Sequence, residues 1–154
     1  MDMLKREIKQ EAPFASLEQE AFLNLVRTAS QLEHRLAEGL KSHDLTLTQY
    51  NVLRILRGAG KEGLCRNEVQ ERMVTPVPDV TRLLDRLEDA GRAVRERSED
   101  DRRFVMARIT RAGLDLLEQL DGPLDDLLNE RLGHLSGAEL RSLIELLEKA
   151  RDRC

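Results

Sequence analysis

Aromatic side chains are scarce in this chain: 3% of residues, with one tyrosine and no tryptophan. Apolar residues still make up 40%, enough for a core, and charged residues reach 35%. That balance predicts a mostly helical protein with long solvated helix faces. No run of about 18 apolar residues is present, so no membrane span is expected. The N-terminal stretch MDMLKREIKQ is charged and lacks an apolar segment, which argues against a signal peptide and for the cytoplasm. Cysteine is limited to Cys65 and Cys154, far apart in sequence. In a reducing compartment both are expected as free thiols. An intermolecular disulfide through the terminal Cys154 would be adventitious. His34, His43 and His134 show no ligand spacing with either cysteine, so no metal site is expected. A glycine-rich phosphate loop and a nucleophile–base arrangement are also missing, which excludes a recognisable enzyme and predicts no cofactor.

What the chain does have is charge sorted by position. Its net charge is -4, yet residues 92–111 hold seven arginines against four acids. Residues 112–154 reverse this, with five bases against ten acids. The acidic total disfavours polyanion binding by the whole surface but says little about a local patch. The densest arginine stretch is VRERSEDDRRFVMARIT, residues 94–110.

The 154 residues suit one domain, or one compact domain with an added oligomerisation element. Residues 1–13 read as a weak helix or an arm. Ser16, with Gln19 three residues on, predicts the cap of a long helix over 17–42. That helix outruns one small core, so part of its apolar stripe needs a second subunit. Helices follow over 45–56, capped by Thr46 or Thr48, and over 64–73, with Cys65 at the cap and Glu68 three residues later. A fourth helix is predicted over 75–91, with Pro78 in its first turn and Gly91 as its stop. Val105, Ala107 and Ile109 alternate with Phe104, Met106 and Arg108, which predicts a β-hairpin over 94–109 with SEDD as its turn. Thr110 caps a fifth helix, expected to break or bend at Gly122-Pro123. The SGAE box at 136–139 opens a sixth.

Three short helices and then a hairpin is the order of a winged helix-turn-helix. On the fourth helix, Val80, Leu83, Leu84 and Leu87 share one face. The opposite face carries Pro78, Thr81, Arg82 and Arg86, which suit base edges and phosphates of double-stranded DNA. A solvated helix laced by pairs such as Arg82–Asp85 would use the same residues. The hairpin arginines Arg95, Arg97, Arg102 and Arg103 extend to one exposed end, as a side chain entering a narrow minor groove must. Asp101 is placed to hold one of them extended. A charged tip kept soluble by mixed charge is the plainer alternative.

The segments LTLTQYNVLRIL, VTRLLDRLEDAG, DRRFVMARITRAG and LSGAEL, in that order, resemble the MarR family of winged helix-turn-helix transcription regulators over about residues 20–150. The resemblance implies a mainly α fold with a small β-hairpin wing and a winged-helix lobe over about 45–110. Residues 16–44 and 111–154 would supply dimerisation helices. It also implies a homodimer, a helix over 77–90 in the major groove, and a wing over 94–109 in the adjacent minor groove. Two departures stand out: Arg92 and Ala93 follow Gly91 where the family is apolar, and Cys65 replaces a Ser, Thr or Pro. Arg92 would extend the basic surface or loosen the root of the wing. Small aromatic or phenolic ligands of the family would fall near His34, Tyr50 and Arg54. A redox switch at Cys65, beside Arg66, is the alternative mode of control. A winged-helix module that binds protein and not DNA is the alternative function.

Overall fold

The computed structural model describes residues 3–152, so Cys154 lies outside the described residues. A short helix α1 (Met3–Ile8) precedes the long α2 (Leu17–Leu40), which ends in a 3-10 turn at Lys41–His43. Then come α3 (Leu47–Ala59), β1 (Leu64–Cys65), α4 (Arg66–Glu71), α5 (Val80–Asp89), β2 (Ala93–Arg97) and β3 (Val105–Ile109). Helices α6 (Arg111–Leu132) and α7 (Gly137–Arg151) follow. The architecture is mainly α with a β-hairpin wing, as expected.

Side-chain caps set most of the starts. Ser16, Thr110 and Ser136 each accept a hydrogen bond from the backbone N–H three residues on. Thr46, and not Thr48, caps α3: its hydroxyl accepts from Gln49 N at 3.2 Å, and Gln49 Oε1 accepts from Thr46 N at 2.9 Å. Each such cap satisfies an end N–H that the helix itself leaves open.

Three elements differ from expectation. Helix α5 begins at Val80, so Pro78 precedes it and Asp79 is the cap, accepting from Arg82 N at 3.0 Å. Pro76 and Pro78 keep Thr75 and Val77 out of the helical region, which delays the start. The segment expected as one helix over 64–73 opens as the two-residue strand β1. It pairs antiparallel with β3, Leu64 opposite Ala107, and makes a three-stranded sheet of order β1-β3-β2. Helix α6 runs unbroken through Gly122-Pro123. Pro123 removes one ladder bond, but Leu117, Leu120 and Leu124, buried on either side, hold both halves to the same core.

That core is one cluster. It runs from Leu40 at the end of α2 through Val52, Leu53 and Leu56 of α3 to Leu84 and Leu87 of α5 and Leu120 of α6. Arg57 at the end of α3 ties to α6 through a two-pronged pair with Asp121, at 2.7 and 3.1 Å. The hydrogen bond from Arg57 holds the Asp121 carboxyl below the usual range.

The root of the wing is a close junction. Gly91 takes φ 69° and ends α5 in a Schellman turn: Arg92 N donates to Leu87 O at 2.8 Å and Gly91 N to Glu88 O at 2.9 Å. Thr110 returns the chain to this point, its N–H donating to Arg92 O (3.1 Å) and its hydroxyl to Gly91 O (2.7 Å). Gly113 lets the first turn of α6 lie against the Arg92 carbonyl. A Cβ there would overlap that oxygen and approach Ile109 Cγ1 to 2.7 Å.

Two substitutions test this packing by thermal melting. Gly113→Ala should destabilise by about 2 kcal/mol or more, because the obstacle is backbone and cannot swing away. Gly58→Ala, inside α3 with open space around it, should stabilise by about 0.5–1 kcal/mol.

Candidate nucleic-acid interface

Helix α5 buries Val80, Leu84 and Leu87 and leaves Thr81, Arg82 and Arg86 on its outer side. The pairing of Arg82 with Asp85, the mark of an ordinary solvated helix, does not form. Asp85 turns instead to the wing, where its carboxylate accepts from Arg95 Nη2 at 2.5 Å. Glu88 does the same with three bonds, from Arg95 N (3.0 Å), Nε (3.1 Å) and Nη2 (2.7 Å). With these helix acids engaged on the wing, Arg82 and Arg86 have no ion pair among the described residues.

The sequence places Arg95 among the DNA-facing arginines of the wing. The structure engages it on α5. Its side chain is 24% exposed and bridges two carboxylates of α5. Its hydrogen bonds push the Glu88 carboxyl below the ordinary glutamate range, and the same bonds raise the Arg95 guanidinium. The physical effect is to tie β2 to α5.

The wing tip holds the remaining arginines. Ser98 N donates to Phe104 O at 2.9 Å, and Phe104 N to Asp101 O at 3.0 Å, closing the turn. Asp101 takes Arg103 through Nε and Nη2, with a shortest distance of 2.7 Å, and also accepts from Arg103 N at 3.0 Å. These bonds lower the Asp101 carboxyl and fix an arginine whose side chain is still 86% exposed. Asp101 thus fixes the Arg103 guanidinium at the tip. Arg97 lies back along the turn, its Nη1 donating to Arg102 O at 3.1 Å. Arg102 is exposed, and its side chain makes no hydrogen bond among the described residues.

Arg92, just past the stop of α5, turns its side chain toward the end of α2. Its guanidinium donates to His43 O (2.7 Å) and Asp44 O (2.9 Å), at the end of the 3-10 turn after α2. Sequence reasoning missed this tie and the roles of Asp85 and Glu88. The faint signal was the spacing of Asp85 and Glu88, one helical turn apart on α5.

Of the expected ligand-pocket residues, Tyr50 and Arg54 line a cleft of about 670 Å³ with Leu36, Leu47 and Met73. Arg54 donates to the Tyr50 hydroxyl at 3.1 Å and lies over the ring at 5.8 Å from its centre. His34 is exposed on α2 and does not line this cleft; Glu33 does. Cys65 is half-buried. The Arg66 guanidinium bonds Asn67 Oδ1 (2.7 Å), while Glu68 accepts from the Cys65 N–H (2.8 Å). That backbone bond lowers the Glu68 carboxyl. Among the described residues no group of His, Cys, Asp and Glu could hold a metal ion, and no helix is long and apolar enough to cross a membrane.

The tie between Arg95 and α5 predicts a pH-dependent stability term. Arg95→Ala should cost about 1 kcal/mol near neutral pH, a modest figure because Glu88 is partly screened by solvent. Glu88 is lowered in the folded state, so its contribution is complete above the unfolded carboxyl range and is lost as pH falls through the folded value. Melting curves of parent and variant should therefore converge on acidification. A gap that stays constant would contradict the tie.

Comparison with known proteins agrees with this geometry. A MarR family model matches residues 43–103, the span from the end of α2 to the wing tip. The multiple antibiotic resistance protein MarR of Salmonella typhimurium is 33% identical over 129 residues, covering 81% of this chain and 87% of that protein. Among solved structures, a MarR transcription factor from Planctomyces limnophilus is 40% identical with a TM-score of 0.68, covering 88% of this chain and 98% of the other. A mutant MarR from E. coli, solved with operator DNA, superposes with a TM-score of 0.74 at 24% identity, covering 97% and 99%. The chain belongs to the MarR family of winged-helix, DNA-binding transcription regulators, which are not enzymes.

Proposed function

We propose that this protein acts as a cytoplasmic homodimer that binds a pseudo-palindromic operator and represses transcription. The observation that carries the reading is the division of labour between charges. Asp85 and Glu88 of α5 are engaged by Arg95, which leaves Thr81, Arg82 and Arg86 for base edges and phosphates of the major groove. Pro78, just before the helix, lies at its approach to the duplex. Arg102 and the Asp101-oriented Arg103 suit the minor groove, where negative potential is strongest. Arg97 supports the tip between them. The E. coli neighbour bound to operator DNA has the same fold, which supports this docking.

Dimerisation would use the apolar surface that one chain leaves open. Helix α7 buries none of its residues, and Ile144 and Leu146 are 53% and 64% exposed. On α2, Leu17 and Phe22 are 81% and 62% exposed. In this reading residues 16–44 and 111–154 form the arm of the dimer and residues 45–110 the DNA-reading lobe. Half-sites would lie about one helical turn, ~10 bp, apart. The cleft beside Tyr50 and Arg54, mainly apolar with Arg54 and Glu33 among its polar lining, suits a small aromatic or phenolic ligand. Such a ligand would release DNA only by favouring a lobe spacing different from the DNA-bound one.

Fluorescence anisotropy with DNA tiled upstream of the protein's own gene, against scrambled DNA, tests the reading. Saturable binding to one tile is expected. Arg102→Ala and Arg103→Ala should each weaken it about tenfold and flatten the salt dependence by about one unit of slope for each phosphate no longer bound. Equal weak binding to every probe, or no binding at low salt, would refute sequence-specific regulation. Ile144→Glu should yield monomers in sedimentation and lose operator binding along with them. A variant that stays dimeric would remove α7 from the interface.

A further inference from the structure

Arg92 occupies the junction between recognition helix and wing. Its main chain closes two elements: its N–H ends α5 on Leu87 O, and its carbonyl accepts from Thr110 N at the start of α6. Its side chain leaves the wing altogether. Nη1 and Nη2 donate to Asp44 O and His43 O, at 2.9 and 2.7 Å, across 48 and 49 residues of sequence. Those carbonyls belong to the end of the 3-10 turn that continues α2, where Asp44 takes the left-handed conformation at φ 49°. Helix-end carbonyls have no partner within the helix and carry partial negative charge, so a guanidinium there both satisfies them and complements the helix dipole.

We propose that Arg92 is a positioning residue that couples the arm helix α2 to the DNA-reading unit of α5 and wing. Arg95 ties β2 to α5, and Arg92 is the residue between them. A planar guanidinium with two donors on two successive carbonyls fixes direction as well as distance, which a single hydrogen bond would not. A displacement of the C-terminal end of α2 is therefore passed to the stop of α5 and the start of β2. An apolar side chain at this position could pack but could not hold those carbonyls. The inference rests on the dimeric, operator-binding reading for its effect on DNA, and on this chain alone for its effect on α2.

Two experimental arms separate these levels, using the full-length protein and the variants Arg92→Met and Arg92→Lys. In hydrogen exchange on the free protein, Arg92→Met should exchange about fivefold faster or more over residues 41–46. Arg92→Lys, with one ammonium for two carbonyls, should fall between. Unchanged exchange at 41–46 would overturn the inference whatever the DNA result. In the second arm, affinity is compared between the operator and the same operator with one base pair inserted between half-sites. The parent should discriminate between them, and Arg92→Met should lose about fivefold or more of that discrimination. A variant that melts earlier yet keeps full discrimination would make Arg92 a stabilising residue only and overturn the coupling. If the parent itself binds no operator, the proposed function fails, and the exchange result still decides whether Arg92 holds α2.

Discussion

The close approach of α6 to the Arg92 carbonyl is the constraint on which the winged-helix half of the molecule depends. It requires a residue without a Cβ at Gly113, a hydroxyl at Thr110 to reach Gly91 O, and a left-handed Gly91 to end α5. These are the Thr and Gly of the run that follows the wing, together with the glycine that follows α5. Gly113 is there because backbone must pass close to backbone, and Gly91 because the stop of α5 needs the left-handed region. With this node in place, α5, β2, β3 and α6 share one anchor, and the small residues Ala93 and Ala107 fill the narrow space under the sheet.

Charge is then layered on that anchor. An arginine costs little at the surface and much when half-buried without a partner, and three arginines that bridge separate elements come with acceptors. Arg95 meets two carboxylates, Arg57 meets one in two-pronged fashion, and Arg92 meets two carbonyls. The outer arginines of α5 and the wing tip are treated differently. Arg103 is held by one acid at the tip, and Arg82, Arg86 and Arg102 have no ion pair among the described residues. An overall acidic chain thereby presents a confined cationic edge. Strength of non-specific attraction to nucleic acid is limited by the rest of the surface, which favours selectivity over bulk affinity.

Legibility in the sequence followed the range of the interaction. Helix caps at Ser16, Thr46, Thr110 and Ser136 were readable because donor and acceptor lie three residues apart. The wing was readable from its period of two, and the inward face of α5 from its leucines. Strand β1 was not, since two residues carry no period and their partner β3 lies beyond α4, α5 and β2. The start of α5 falls later than expected because a proline suited to a first helical turn also restrains the residue before it. With Pro76 and Pro78 so close together, the second effect prevailed. The unbroken α6 shows tertiary packing overriding a local breaker. His34 fell outside the cleft because helical phase along α2 directed Glu33, not its neighbour, toward it.

Sequence alone determined the order of the main elements, the family, and the face of α5 that points away from the core. Those follow from local periodicity and from several short segments in register. What only the tertiary structure decided is which arginines remain available. Arg82 and Arg95 look alike in the sequence, both near acids at helical or strand spacing. Whether a guanidinium faces a carboxylate or solvent depends on elements folding back across 7 residues for Arg95 and Glu88, 48 for Arg92 and Asp44, and 64 for Arg57 and Asp121. Ion pairing decays within a few ångströms, so it is a property of proximity in space, and a linear chain records only the charges.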